Sequence, residues 1–356
     1  MASVELKPLA ISDNALKELE ALIKISWYYD YHTKGFFYFK SDFLKHILTA
    51  PNIDTSLQIA AYENDKLIGF NASLPRTLSY NKSKILKTSI LTYLSVHPEY
   101  RRRGIGSKII KKAIELQKEK GYALSLAYFD CYSRGKLVYN SAQSNMAELF
   151  VSNWLCKILG FTRFMKAIGF EYLAQYLDNK FKFFNINKSK SCTSNVRIYK
   201  DKESDILQIL DVFNSYQYRL SLARVWSLEE LKWYLENPYI KTFVFDDENK
   251  IRGVISYIEY VIWLGKRYAK IAFFDEIHIS NLRFADARVL INAAAQHGYK
   301  ADCVAAIVPR MRYFKEFPFL ACGFIPYTRK FEFYAVLQNI QKLEIASPYY
   351  IYIDVK

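Results

Sequence analysis

Cysteine is scarce in this chain. The 356 residues contain five, at Cys131, Cys156, Cys192, Cys303 and Cys322. They lie far apart, are odd in number, and include no pair with metal-ligand spacing, so neither a zinc site nor a disulfide framework is implied. A reducing cytoplasm is the simplest setting for such usage. No apolar stretch reaches ~18 residues without a charge, so no membrane-spanning helix is expected. The opening Met1-Ala2-Ser3-Val4-Glu5 lacks the basic and apolar regions of a secretory signal. No Gly-Lys-Ser/Thr is present, which excludes the P-loop. The acidic and histidine residues Asp275, Glu276 and His278 cluster without ligand spacing, and no metal is expected there. Ser141, Cys131 and Cys156 lack partnered bases in sequence, so no covalent nucleophile is read.

Half of the residues are hydrophobic and tyrosine and phenylalanine are plentiful, a globular rather than disordered composition. The length suggests about two domains, each with its own core. The net charge of +15 would suit nucleic acid, an anionic membrane or a polyanionic cofactor. The lysines are dispersed, however, and cluster with arginine only at 101–103 and 180–190. A solvated surface accounts for most of the charge, and a nucleic-acid partner is not expected.

Glycine is also sparse, 12 in all, so a close pair needs a reason. Arg101-Arg102-Arg103-Gly104-Ile105-Gly106 holds such a pair. Upstream, Ser89-Ile90-Leu91-Thr92-Tyr93-Leu94-Ser95-Val96 reads as a buried strand. Downstream, Ile109, Ile110, Ala113, Ile114 and Leu116 recur at helical spacing. A strand, a glycine turn and a helix leave free amides at a helix N-terminus, an anion site that suits a pyrophosphate. The dinucleotide fingerprint needs a third glycine, which is missing.

The chain also repeats itself. A strand over Leu57 to Tyr62, a turn at Asn64-Asp65-Lys66 and a return strand from Leu67 form a hairpin. The same element recurs from Lys241 through Asp246-Asp247-Glu248-Asn249-Lys250 to Val254. A helix ending at Gly121 precedes the strand Leu124 to Phe129; a helix over Ala285 to Gln296, ending at Gly298, precedes the strand Asp302 to Ile307. Phe164 to Phe170 mirrors Phe319 to Phe324. The expected architecture is therefore α/β, a mixed sheet in two tandem repeats sharing a cleft. The first domain runs over 1–185, a polar linker over 186–194, and the second domain over 195–356. Residues 145–158 read as an added amphipathic helix. In the second repeat, Ile279-Ser280-Asn281-Leu282-Arg283 replaces the glycine turn, so only the first half should bind an anionic cofactor.

The segment Val96-His97-Pro98-Glu99-Tyr100, followed by Arg-x-x-Gly-x-Gly, resembles the pyrophosphate turn of the GNAT superfamily of acyl-CoA-dependent N-acyltransferases. Within it, the tandem arrangement resembles the N-myristoyltransferases. The likeness rests on Leu67-Ile68-Gly69-Phe70-Asn71-Ala72-Ser73-Leu74-Pro75, Tyr93-Leu94-Ser95-Val96-His97, Val225-Trp226-Ser227-Leu228-Glu229-Glu230-Leu231 and Phe331-Glu332-Phe333-Tyr334. The resemblance implies acetyl-CoA or another acyl-CoA as donor. Leu94, Val96, Arg101, Arg102, Arg103, Gly104, Ile105, Gly106, Ser107 and Lys108 would contact it. An amine acceptor, small molecule or peptide, would attack the thioester directly. It further implies an oxyanion hole from the amides of Tyr93 and Leu94, and proton removal by the terminal carboxylate, here Lys356.

Departures accompany the likeness. Thr92 stands where the N-myristoyltransferases have asparagine and Phe129 where they have threonine. Gly323-Phe324-Ile325-Pro326 replaces a glycine-rich segment. The glycine turn, which that family has largely lost, is kept, so acetyl-CoA is the default donor and a long acyl chain the rival. Other bases are Asp130, which also suits a cationic substrate, Glu99 and His97. The tyrosine that protonates the thiolate in many GNAT enzymes precedes a Gly-Phe landmark. Met165 and Phe319 stand there, and Tyr139 is the replacement, unless it is simply another packed aromatic.

Overall fold

The computed structural model describes residues 3–130, 133–172, 195–200, 203–311, 313–343 and 351–352. The linker 186–194, Cys131, Cys192 and Lys356 lie outside them. In chain order the strands are β1 (Glu5–Pro8), β2 (Phe36–Tyr38), β3 (Ile59–Glu63), β4 (Lys66–Tyr80), β5 (Lys84–Val96), β6 (Leu124–Asp130) and β7 (Met146–Ile158). There follow β8 (Val196–Ile198), β9 (Leu222–Val225), β10 (Ile240–Asp247), β11 (Lys250–Trp263), β12 (Tyr268–His278), β13 (Ala305–Pro309), β14 (Ile325–Leu337) and β15 (Ile351–Tyr352).

The two hairpins form as the turn chemistry dictates. Asn64 and Asp65 in the first, and Glu248 and Asn249 in the second, all take positive φ. Two successive left-handed residues match the twist of the paired strands. Each hairpin continues into a third long strand, so β3-β4-β5 and β10-β11-β12 are antiparallel triplets. Each triplet is followed by a helix, Ile105–Glu119 in the first half and Phe284–Lys300 in the second, that buries its apolar stripe. A parallel strand then joins the sheet: β6 beside β5, and β13 beside β12. The second helix runs past Gly298, which packs within it against Ala272 rather than capping it. The left-handed stop falls instead at Asp302, the counterpart of Gly121.

The halves close by exchanging strands. The sheet order is β1-β3-β4-β5-β6-β14-β7-β13-β12-β11-β10-β8. Strand β14, from the second half, pairs with β6 of the first, and β7, from the first half, pairs with β13 of the second. The short strands follow the same two-fold rule: β2 pairs with β11, and β9 with β4. The expectation of an added helix over 145–158 is thus corrected. That segment is β7, because its backbone is taken up on both sides by β13 and β14, and tertiary pairing outweighs a short helical pattern.

The exchange also moves one repeat landmark. Phe161–Ala167 and Phe317–Ala321 are both short helices followed by a left-handed glycine, Gly169 and Gly323. The second precedes β14, whereas the first follows β7. The topological counterpart of Gly323 is Gln143 (φ 56°), which ends the helix Gly135–Ser141 before β7. The same cap bond confirms the alignment: Ser144 N–H reaches Tyr139 O at 3.2 Å, as Phe324 N–H reaches Phe319 O at 3.1 Å. Tyr139 therefore stands where Phe319 does in the second half.

Candidate active site

Strands β5 and β6 are paired only from Thr88–Leu124 to Ile90–Leu126. Beyond that register they diverge, β5 following β4 and β6 following β14. The divergence begins beside a bulge. Phe70 faces Ser95 and Ala72 faces Thr92, so Asn71 alone is opposed by both Tyr93 and Leu94. Tyr93 is left-handed (φ 56°) and buried. A bulge leaves backbone groups outside the ladder, and a non-glycine residue held in this conformation costs ~1–2 kcal/mol. The two residues expected to form an oxyanion hole thus lie where the sheet releases its amides.

A cavity of about 620 Å³ fills the divergence. At one end it is lined by Val96, Arg102, Gly104, Ile105, Gly106 and Ser107, and beside the bulge by Tyr93, Leu94 and Tyr139. At the other end it is aromatic: Phe39, Tyr128, Trp154, Tyr260, Phe273 and Phe333, drawn from both halves. The stacked pairs Trp154–Phe331 (4.2 Å) and Phe150–Phe333 (4.4 Å) stiffen this wall.

The turn over 101–107 has the backbone geometry that leaves amides free at a helix start. Arg102 (φ 62°) and Gly104 (φ 74°) are left-handed on either side of Arg103. The first full helical bond is Lys108 N–H to Gly104 O, 3.0 Å, so the amides ahead of Lys108 have no carbonyl one turn back to meet. A Cβ on Gly104 would stand in open space, and one on Gly106 would meet Val138 at 3.1 Å. Glycine is thus needed for backbone conformation at the first position and for close approach of helix Gly135–Ser141 at the second.

The arginines divide in a way their sequence conceals. Arg101 forks onto Asp30 at 2.6 and 3.0 Å and also donates to Val96 O and Ser26 O. Arg103 forks onto Glu63 and lies over Tyr100. Both guanidinium groups are engaged by carboxylates and hold the turn in place, and Arg101 also lines the cavity. Arg102 has no such partner among the described residues and is exposed at the cavity rim.

Among the acid–base candidates, Tyr139 is buried against Phe129 and lines the cavity, and burial pushes its phenol far above the usual range. Asp130 lines the cavity but is held by Arg329, which also donates to the carbonyls of Lys34 and Gly35. Arg329 was not legible in sequence: a bulge between Tyr327 and Lys330 in β14 turns it across to the other half. Glu99 is 76% exposed and lies 3.9 Å from His97. Neither residue lines the cavity, so the structure does not bring these two candidates to the reaction centre. Burial lowers the His97 pKa. Lys356 lies outside the described residues.

The second half has the same divergence after Phe273–Ile307, with a bulge at Asp275. It is filled by the protein's own side chains. Tyr352 donates to Glu276 at 2.6 Å and accepts from Trp226 at 2.9 Å; His278 lies 3.0 Å from Glu276 and stacks on Phe213 at 3.9 Å. Leu282 occupies the space above Gly253, and 279–284 contain no left-handed residue.

Residues 28–129 match a family model described as an acetyltransferase (GNAT) domain. The fold is the GNAT fold, doubled. The N-myristoyltransferase of Saccharomyces cerevisiae with bound myristoyl-CoA superposes with a TM-score of 0.75 at 17% identity. The match covers 94% of this chain and 83% of the other. A conserved protein of unknown function from Enterococcus faecalis, a probable N-acyltransferase, gives 0.55 at 12% identity over 95% and 74% of the two chains. A GCN5-related N-acetyltransferase from Anabaena variabilis gives 0.54 at 13% identity over 94% and 72%. No curated protein matches by sequence. The GNAT domain and the N-myristoyltransferase-like fold support an acyltransferase. Among the described residues no helix is long and apolar enough to cross a membrane, and no group of three His, Cys, Asp or Glu is placed to hold a metal.

Proposed function

We propose that the chain is an acyl-CoA-dependent N-acyltransferase whose donor carries an acyl chain well beyond two carbons. The observation that carries this is the continuity of one cavity from the turn at 101–107, past the bulge at Tyr93, into the aromatic chamber between the halves. The cofactor pyrophosphate would rest on the amides ahead of Lys108, with Arg102 at its rim. Pantetheine would run between β5 and β6. The thioester carbonyl would accept from the amides of Tyr93 and Leu94, which stabilise the oxyanion as charge develops. The amine attacks the carbonyl carbon, the carbon–sulfur bond breaks, and Tyr139 protonates the departing thiolate. The phenol holds its proton at pH 7, and because burial raises its pKa it gives that proton up only as the thiolate's charge develops beside it. The attacking amine loses its proton to water at the cavity mouth, since Asp30 and Asp130 are both engaged by arginine. The yeast N-myristoyltransferase, whose structure holds myristoyl-CoA, supports the long chain. The acetyltransferase reading draws its support from the family match and the retained glycines; on it, the aromatic chamber houses a bulky amine.

Calorimetric titration with acetyl-, octanoyl- and myristoyl-CoA tests the reading. Each buried methylene contributes ~0.8 kcal/mol, so affinity should rise at least ~100-fold from acetyl to myristoyl, at one site per chain. Equal affinities would return the assignment to an acetyltransferase, and two equivalent sites would refute a single cofactor half.

A further inference from the structure

The rim of the cofactor turn carries more unpaired positive charge than a cofactor diphosphate needs. Arg102, Lys108, Lys111, Lys112 and Arg134 are all exposed, and none has an acidic partner among the described residues. Lys108, Lys111 and Lys112 follow at intervals of three and four on helix Ile105–Glu119, so they share one face. At 1.5 Å per residue that stripe reaches ~10 Å past the helix start, beyond the amides that hold a phosphate, before Glu115 ends it. Helix Gly135–Ser141 packs beside it, with Ser107 Oγ donating to Val138 O at 3.4 Å. That helix projects Leu137, 63% exposed, at the cavity mouth. An exposed leucine inside a basic rim is the complement of an acidic helical surface with an apolar centre.

We propose that this rim docks an acidic acyl carrier protein, whose phosphopantetheine arm enters the same cavity as an alternative acyl donor. The inference rests on the acyltransferase reading above. The prosthetic arm matches CoA from the thiol to the first phosphate, where a phosphodiester to a serine replaces the link to adenosine. The turn would hold that phosphate, Leu137 would meet the apolar side of the carrier's helix, and the lysine stripe would meet its carboxylates. The chemistry balances as for CoA: a carbon–nitrogen bond forms, the carbon–sulfur bond breaks, the amine proton passes to water, and the arm's thiolate is reprotonated. The net charge of +15 adds steering toward an acidic partner.

The test measures binding of a fluorescently labelled, myristoylated acyl carrier protein by anisotropy, and of myristoyl-CoA by calorimetry, to the full chain. The carrier should bind in the micromolar range and weaken at least ~10-fold between 50 and 300 mM salt, as exposed charge pairs are screened. The double variant Lys111→Glu with Lys112→Glu should weaken the carrier at least ~10-fold while changing myristoyl-CoA affinity less than ~2-fold. Both residues are exposed, and an unchanged thermal midpoint checks the fold. Absence of carrier binding with normal myristoyl-CoA binding overturns the docking proposal and leaves the acyltransferase standing. Equal losses for both donors also overturn it, by assigning the lysines to the cofactor. Failure to bind either donor overturns the acyltransferase reading itself.

Discussion

Replacing Arg101 by alanine separates two roles that the run of three arginines leaves confounded. Its guanidinium makes two bonds to Asp30 and one each to the carbonyls of Val96 and Ser26. With the side chain about a fifth exposed, roughly half of a ~1 kcal/mol net value per bond survives solvent screening. Two carbonyls and a carboxylate losing their donor together bring the loss to about 2–3 kcal/mol. At ~2.1 cal/mol/K of unfolding entropy per residue, 356 residues give roughly 0.75 kcal/mol/K, so the thermal midpoint should fall by about 3–4 °C. Myristoyl-CoA affinity should fall only modestly, because the amides remain. Arg101→Lys should behave almost like alanine, since an ammonium cannot fork onto Asp30 while reaching both carbonyls. Arg102→Ala should do the opposite, weakening the cofactor ~10-fold with the midpoint unchanged. Calorimetry for affinity and scanning fluorimetry for stability read both quantities. If Arg101→Ala abolishes binding with no loss of stability, its guanidinium faces the phosphates and the assignment to Asp30 is wrong.

Three further outcomes follow from the same geometry. Gly104→Glu places a carboxylate in the open space over the turn in a left-handed backbone, and should reduce cofactor affinity at least ~100-fold in a folded protein; unaltered affinity would move the anion site elsewhere. Tyr139→Phe should lower kcat by ~10²-fold without weakening the cofactor, as measured by single-turnover kinetics; full turnover would leave Tyr139 as packing alone. Burial lowers the pKa of His278, with Arg224 adding to that and Glu276 opposing it. The folded state therefore favours the neutral ring, and its contribution to stability is present above the unfolded value near 6.5 and lost as pH falls below it. Denaturant midpoints should drop between pH 7 and 5, and His278→Gln should flatten that drop; an identical slope would place the acid sensitivity in other groups.

Much of this was written locally. The hairpin turns at Asn64-Asp65 and Glu248-Asn249 need residues that tolerate left-handed backbone, and short apolar runs flank each of them, so the repeated unit could be read directly. The turn at 101–107 was legible for the same reason: two glycines in a chain with few, set between an apolar strand and an amphipathic helix. Tyr139 was harder to place because Gln143, not glycine, takes the left-handed cap after it; the glycine landmark therefore pointed to Met165 and Phe319.

What the tertiary structure alone decided is long-range. Residues 146–158 became a strand because two other strands, ~150 to 190 residues further along the chain, take up their backbone bonds, and no local periodicity encodes such partners. The same exchange brings Arg329 onto Asp130 and builds an aromatic chamber from both halves. That Arg101 and Arg103 are held by carboxylates was decided by Asp30 and Glu63, 71 and 40 residues away from their partners in sequence. Local sequence sets the backbone geometry of a turn through steric preference, whereas the direction its side chains face depends on what the rest of the chain places beside them.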